Sequence, residues 1–200
     1  MKNLIKKSFK LLTIVATLLF AINCKAQSNI VNITDCESYR HLSQRDGQLY
    51  IKDINNLYNN YIGTWKWTSG NKEFTITLIK QTMFHDHFGS DNYYKDRMVG
   101  YYIYKENGVE IINTTNDNLN DYLPKVKYSL NCYSELTGRI FDVAKNKTFW
   151  HTWFEIISPT QIRFKAKPEE HLIRQKEGYP ELPPVYRGNT FPLEMVLTKH

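Results

Sequence analysis

Glycine and proline are scarce in this 200-residue chain, at 9 and 7 residues, which excludes collagen-like or linker-like character. No segment is apolar for the roughly 20 residues that a membrane-spanning helix needs. The longest apolar run is Leu11 to Ile22 (LLTIVATLLFAI). Internal repeats are absent, and so are His-Glu-x-x-His, Gly-x-Ser-x-Gly and a phosphate-cradling glycine loop. Nothing in the sequence therefore names a catalytic mechanism or implies a cofactor, and a noncatalytic protein is the preferred reading.

Charge of one sign is also nearly missing once the N-terminus is set aside. Lys2, Lys6, Lys7 and Lys10 open the chain with no acidic residue, the apolar run follows, and Cys24-Lys25-Ala26 places small residues where a signal peptidase needs them. Residues 1–26 read as a signal peptide. They take five lysines with them, so the 26 Lys+Arg of the chain fall to 21 against 20 Asp+Glu, a net of +1. The overall +6 is no argument for nucleic acid, which would need a basic face in the mature domain. The protein is expected outside the cytoplasm: periplasmic, anchored at the outer membrane, or extracellular. Contact with a membrane is expected only through the signal peptide or a lipid on Cys24. Two processing routes stay open, cleavage after Ala26 or lipidation of Cys24, where Asn23 and Ala21 depart from the usual lipoprotein residues. Beyond Cys24, Cys36 and Cys132 form an even pair in an oxidising compartment, and a disulfide is the default expectation.

What the mature chain has in quantity is aromatics: 14 Tyr, 10 Phe and 4 Trp. These suit half-buried pleated strands. Residues 27–50 are polar and without sustained period, an N-terminal arm. Ile51, Ile54, Leu57, Tyr58 and Tyr61 recur at helical spacing and predict a short helix. From Ile62 the period becomes two. Strands are expected at 62–68, 74–79, 93–104, 109–114, 135–143, 148–157, 161–167 and 191–197, with a short edge segment at 127–132. Ser69-Gly70-Asn71 and Asn107-Gly108 are the strongest hairpin turns. The fold class is all-β: about eight antiparallel strands in a meander closing into a barrel, the helix capping one end, in a single domain over 51–200. Alternation places Trp65 or Trp67, Phe74, Ile76, Leu78, Val99, Tyr101, Ile103, Trp150, Phe154, Ile162, Phe164 and Leu197 inside. Residues this large should fill most of the interior. Any pocket is then expected at the mouth opposite the cap, near the charged connection Pro168–Thr190.

Gly63-x-Trp65 after a short helix resembles the opening of lipocalin-like barrels, which implies a structural packing role for Gly63 and Trp65. Over a longer span, YIGTWKWTSGNKEFTITLIKQ, VGYYIYKENGVEIINT, ISPTQIRF and MVLTK resemble an uncharacterised family of small exported proteins from Bacteroidota. That resemblance implies fold and location and carries no site.

Candidate sites are few. His85-Asp86-His87 puts two imidazoles and a carboxylate on one loop, a set that suits Zn²⁺ or Cu²⁺ if a further ligand joins it. Phe149, His151, Trp153 and Glu155 share one face of a strand by alternation and form a shallow ligand site, with Trp150, Thr152, Phe154 and Ile156 facing the core. Tyr101 and its neighbouring tyrosines are further stacking candidates. The sequence thus supports an exported lipocalin-like protein binding a small apolar or amphipathic molecule. The alternative is a structural or interaction protein of the cell envelope with a filled core.

Overall fold

The computed structural model describes residues 29–168 and 187–200. The expected signal peptide and most of the 168–190 connection lie outside the described residues. Eleven strands make one sheet. They are β1 (Asn29–Asn32), β2 (Leu49–Lys52), β3 (Gly63–Ser69), β4 (Lys72–Asp86), β5 (Tyr93–Glu106), β6 (Val109–Asn113), β7 (Val126–Leu130), β8 (Leu136–Asp142), β9 (Lys147–Ser158), β10 (Gln161–Ala166) and β11 (Glu194–Lys199). Eight of them, β3, β4, β5, β7, β8, β9, β10 and β11, close antiparallel into a barrel, sealed by the pairings of β11 with β3 and β5 with β7. No helix among the described residues is long and apolar enough to cross a membrane.

The number of barrel strands is as expected, but their membership differs. The 109–114 strand pairs only with the far end of β5 and stands outside the closed ring, while the 127–132 edge segment is a full barrel strand. Asn107 and Gly108, at φ 52° and 76°, fold β6 back tightly against the end of β5. β5 outlasts its partner β7, and β6 covers the surplus edge.

The polar arm holds two short strands. β1 and β2 run parallel, and β2 lies parallel to the start of β5. Between them a five-residue helix, α1 (Cys36–Arg40), is capped by the Asp35 side chain. The disulfide Cys36–Cys132, with Cα atoms 5.6 Å apart, ties α1 to the end of β7. The helix expected over 51–61 shrinks to a 3-10 turn at Leu57–Asn60, because Ile51 is drawn into β2.

Both mouths of the barrel are packed. At one, Tyr58 is fully buried and its hydroxyl contacts the Asp96 carbonyl and receives the Leu130 N–H. Trp65 is also fully buried, and its indole N–H donates to the Tyr61 carbonyl at 2.7 Å. Gly63, at φ +128°, starts β3 in a conformation that a side chain would strain. At the other mouth Phe191 is fully buried, its ring centroid 5.3 to 6.4 Å from those of Phe74, Tyr102, Phe149 and Phe164. The mouth expected to hold a pocket is therefore plugged by an aromatic cluster. Thr190, one residue before the plug, is fixed by its amide and hydroxyl to Asp142.

Parity on β5 is the reverse of that expected. Met98, Tyr102 and Tyr104 point into the core, while Tyr101 and Ile103 are half-buried on the outer row; Val99, in that same row, is wholly buried. In Val-Gly-Tyr-Tyr-Ile-Tyr both alternate sets are large and apolar, so alternation alone does not choose between them. Gly100 decides it. It shares the inward row, and a Cβ there would come within 2.0 Å of the Thr77 carbonyl oxygen.

Candidate functional site

Two interruptions of regular pairing shape the outer surface. In β4 the register jumps between Gln81 and Phe84, so Thr82 and Met83 stand opposite Asp96. The freed Met83 N–H donates to Asp96 Oδ1 at 3.0 Å. Asp96 also accepts from Tyr50 Oη and from the Asp53 N–H, and Asp53 accepts from the amides of Leu57 and Tyr58 and from Lys80 Nζ at 2.9 Å. Both carboxylates are almost wholly buried. Every acceptor in this network is used to fasten β2, the 3-10 turn and the β4 bulge together. It is a bolt.

The bulge also decides the fate of His85-Asp86-His87. Asp86 turns to one face, buried, and pairs with Lys95, while its Oδ1 has no partner among the described residues. His85 turns to the other face, where it stacks between Tyr94 and His87 and its Nε2 meets Asn92 Oδ1 at 2.8 Å. The carboxylate and the imidazoles point apart. No group of three or more metal-ligating side chains occurs among the described residues.

The second interruption is in β9. Gly138 pairs with Thr152 and Ile140 with Phe149, so Trp150 and His151 together face Arg139. This is a β-bulge, two residues against one, and it shifts the alternation by one position. Phe149, Thr152 and Phe154 all enter the core, and Trp150 is expelled, 48 % exposed. The expected single face of Phe149, His151, Trp153 and Glu155 is thus broken. Phe149 leaves it, Trp150 joins it, and Ile156, expected inside, is 47 % exposed. Next to it Gly138 lets β7 come close: a Cβ there would sit 2.2 Å from the Lys127 carbonyl oxygen.

A groove of about 480 Å³ lies over this bulge, lined by Glu135, Thr137, Gly138, Trp150, His151, Thr152, Trp153 and Lys167. Its aromatic walls are held by neighbours. The Arg139 guanidinium lies 5.3 Å from the Trp150 ring centre, and Lys165 Nζ lies 6.0 Å from that of Trp153. Trp153 Nε1 donates to Glu155, whose carboxylate is shared by Arg163 and Lys165. Hydrogen bonding to Lys165 and Trp153 holds the Glu155 carboxyl below its usual range. Glu155 therefore braces Trp153 from the side. Of the sequence candidates, His151 and Trp153 line the groove and Glu155 supports it. Tyr101, on β5, is separated from β9 by β7 and β8 and does not join them.

Sequence reasoning missed the cationic stretch next to the groove. Residues 119–124 cross the outside of β5, β7 and β8, held by their carbonyls. Arg97 donates to those of Leu119, Asp121 and Tyr122, Lys127 to that of Tyr122, and Arg139 to those of Leu123 and Pro124. Burial, with Lys95, Arg97 and Arg139 nearby and only Asp86 opposing them, pulls the Lys127 amine down to about 8. The signal was available as Lys127 and Arg139 on alternate outward positions, but the strap that makes them neighbours is a loop without period.

A consequence for stability follows from Lys127. The folded chain loses this proton at lower pH than the unfolded chain does, so the unfolded state binds more protons between pH 8 and 10.5. Stability is expected to rise with pH through the lower part of that window, by about 2 kcal/mol, with the penalty fully present below pH 8. Above about pH 10 the buried tyrosines Tyr58, Tyr102 and Tyr128, whose hydroxyls are raised by burial, reverse the trend. Urea denaturation at pH 7, 8, 9 and 10 measures it. Lys127→Met should flatten the rise and be the more stable protein at pH 7; equal slopes in both proteins would refute the assignment.

Comparison with known proteins gives one family. The model of a family of unknown function, DUF6705, matches residues 6–200, and the chain belongs to that family. Searches of curated proteins and of solved structures each return no match.

Proposed function

We propose that this member of the DUF6705 family is an exported, noncatalytic binding protein. It takes a small amphipathic molecule in the Trp150–Trp153 groove on the outside of its barrel. The observation that carries the reading is the expulsion of Trp150: a bulge turns a large apolar side chain into solvent, 48 % exposed, beside a second tryptophan in a concave surface. Stability by itself favours burying such a side chain, by roughly 1.5–3 kcal/mol. A ring exposed in a groove offers a flat apolar face to a ligand, and tryptophan pairs favour ring-shaped partners. Export is supported by the Cys36–Cys132 disulfide, a bond that persists in oxidising compartments. The second reading, an envelope interaction protein with a filled core, has the plugged mouth at Phe191 in its favour.

Titration with N-phenyl-1-naphthylamine, an uncharged fused-ring probe, separates the two. Saturable quenching of tryptophan emission at one probe per chain is expected, with Trp150→Ala weakening it at least about tenfold, the loss of one stacking partner and its buried area. Trp150→Ala should melt close to the parent, since the side chain is half exposed. A probe that never quenches, or quenches the variant equally, removes the groove as a binding site and leaves the interaction reading.

A further inference from the structure

We infer that the ligand of this groove carries an anionic group, received by Lys127 and Arg139; the inference rests on the groove reading above. Arg139 stands opposite the two bulged residues Trp150 and His151, and Lys127 is its direct cross-strand partner. Both side chains project from the outer face that Thr137 and Trp153 share. Arg139 adjoins the groove, its guanidinium 5.3 Å from the Trp150 ring centre, and the 119–124 strap lies over the pair beyond it.

The charges around this pair are unevenly matched. On β4 and β5, Asp86 is taken by Lys95. In the strap, Asp117 is taken by Lys125, and Asp121, whose charge acts on Arg97 and Arg139, accepts from the Leu123 N–H without an ion pair. Arg97 spends its guanidinium on Gln81 and three strap carbonyls. Lys127 and Arg139 have no carboxylate partner among the described residues, only neutral carbonyls. Arg139 is 9 % exposed, and its Nε–H is a buried donor with no acceptor among the described residues. Buried donors are nearly always paired, and an unpaired one on a charged group is costly. A carboxylate, sulfonate or phosphate at the end of the groove would supply that acceptor and offset the repulsion among Lys95, Arg97, Lys127 and Arg139. Lys167, in the lining, adds a positive charge, and Glu135, held by Asn131, is the carboxylate there.

The test compares two probes that differ by one group: 8-anilinonaphthalene-1-sulfonate and its uncharged parent, N-phenyl-1-naphthylamine. At pH 7 and low salt the sulfonate should bind the full protein at least about tenfold more tightly, the size of a charge-assisted hydrogen bond. Added salt should weaken the sulfonate and leave the uncharged probe unaffected. Lys127→Gln should bring the two affinities together, Lys127→Arg should keep them apart, and melting temperatures establish that both variants are folded. Arg139→Lys is the second variant, because it retains a charge but loses the Nε donor. Equal affinity of the two probes for the parent protein, or a preference that survives both Lys127→Gln and Arg139→Lys, overturns the anion assignment while the groove stands. Failure of both probes to bind overturns the groove itself.

Discussion

Replacing Cys36 and Cys132 together by serine should lower the stability of the folded protein by about 4 to 5 kcal/mol. The bond spans a sequence separation of 96 residues, and closing a loop of that size in the unfolded chain removes about that much entropy. The native contacts it guards are modest. β1 is a four-residue parallel strand, and α1 has no buried residue of its own. The barrel ring itself does not pass through the bond. The double variant should therefore keep its barrel and lose order first in residues 29–40. Denaturation with and without reductant gives the energy, and hydrogen exchange gives the location. A loss below about 1 kcal/mol would mean that the unfolded chain is already held compact by other means. Uniform loss of exchange protection would place the arm within the barrel's cooperative unit.

A loss of comparable size is expected at Asp96. In Asp96→Asn one acceptor oxygen remains for donors that now use two, Tyr50 Oη and the Met83 N–H on Oδ1 and the Asp53 N–H on Oδ2, and the Lys80 charge keeps Asp53 alone. Breaking a buried charged network by changing one member costs about 3 to 5 kcal/mol, because the remaining groups stay buried without partners. The effect should reach three elements at once: β2, the 3-10 turn and the β4 bulge. A thermal melt together with protection of the Met83 amide tests it. If the variant is within about 1 kcal/mol of the parent and Met83 is still protected, water has taken over the acceptors and the bolt is redundant.

The groove was only half legible in the sequence. Alternation places His151, Trp153 and Glu155 on the outside, where they lie, and Trp150 in the core, from which the bulge expels it. Alternation presumes one residue per step, and a bulge adds one. No local feature of Phe-Trp-His-Thr-Trp-Phe marks where the extra residue sits. It is defined only by the pairing with β8, where Trp150 and His151 together face Arg139. The same holds at Gln81–Phe84, where the bulge amide is satisfied by Asp96 on the next strand. Alternation alone does not single out Lys127 and Arg139: what covers both is a strap with no period to read.

Some features follow from the residues themselves. Period-two runs of β-branched and aromatic residues, broken by Ser69-Gly70-Asn71 and Asn107-Gly108, dictate an antiparallel barrel because each preference is local. Cys36 and Cys132, the two cysteines that follow Cys24, form the expected bond. Other features belong to the closed ring. Which of two equally apolar faces of β5 turns inward, which eight strands close the barrel, and that Phe191 plugs a mouth are all choices between locally equivalent arrangements. They are resolved only by contacts between distant strands: the backbone approach at Gly100, the surplus length of β5 over β7, and four aromatic rings converging on a fifth. Sequence period fixes how a strand alternates, whereas the neighbour that forces a bulge or supplies a missing wall fixes which way it faces.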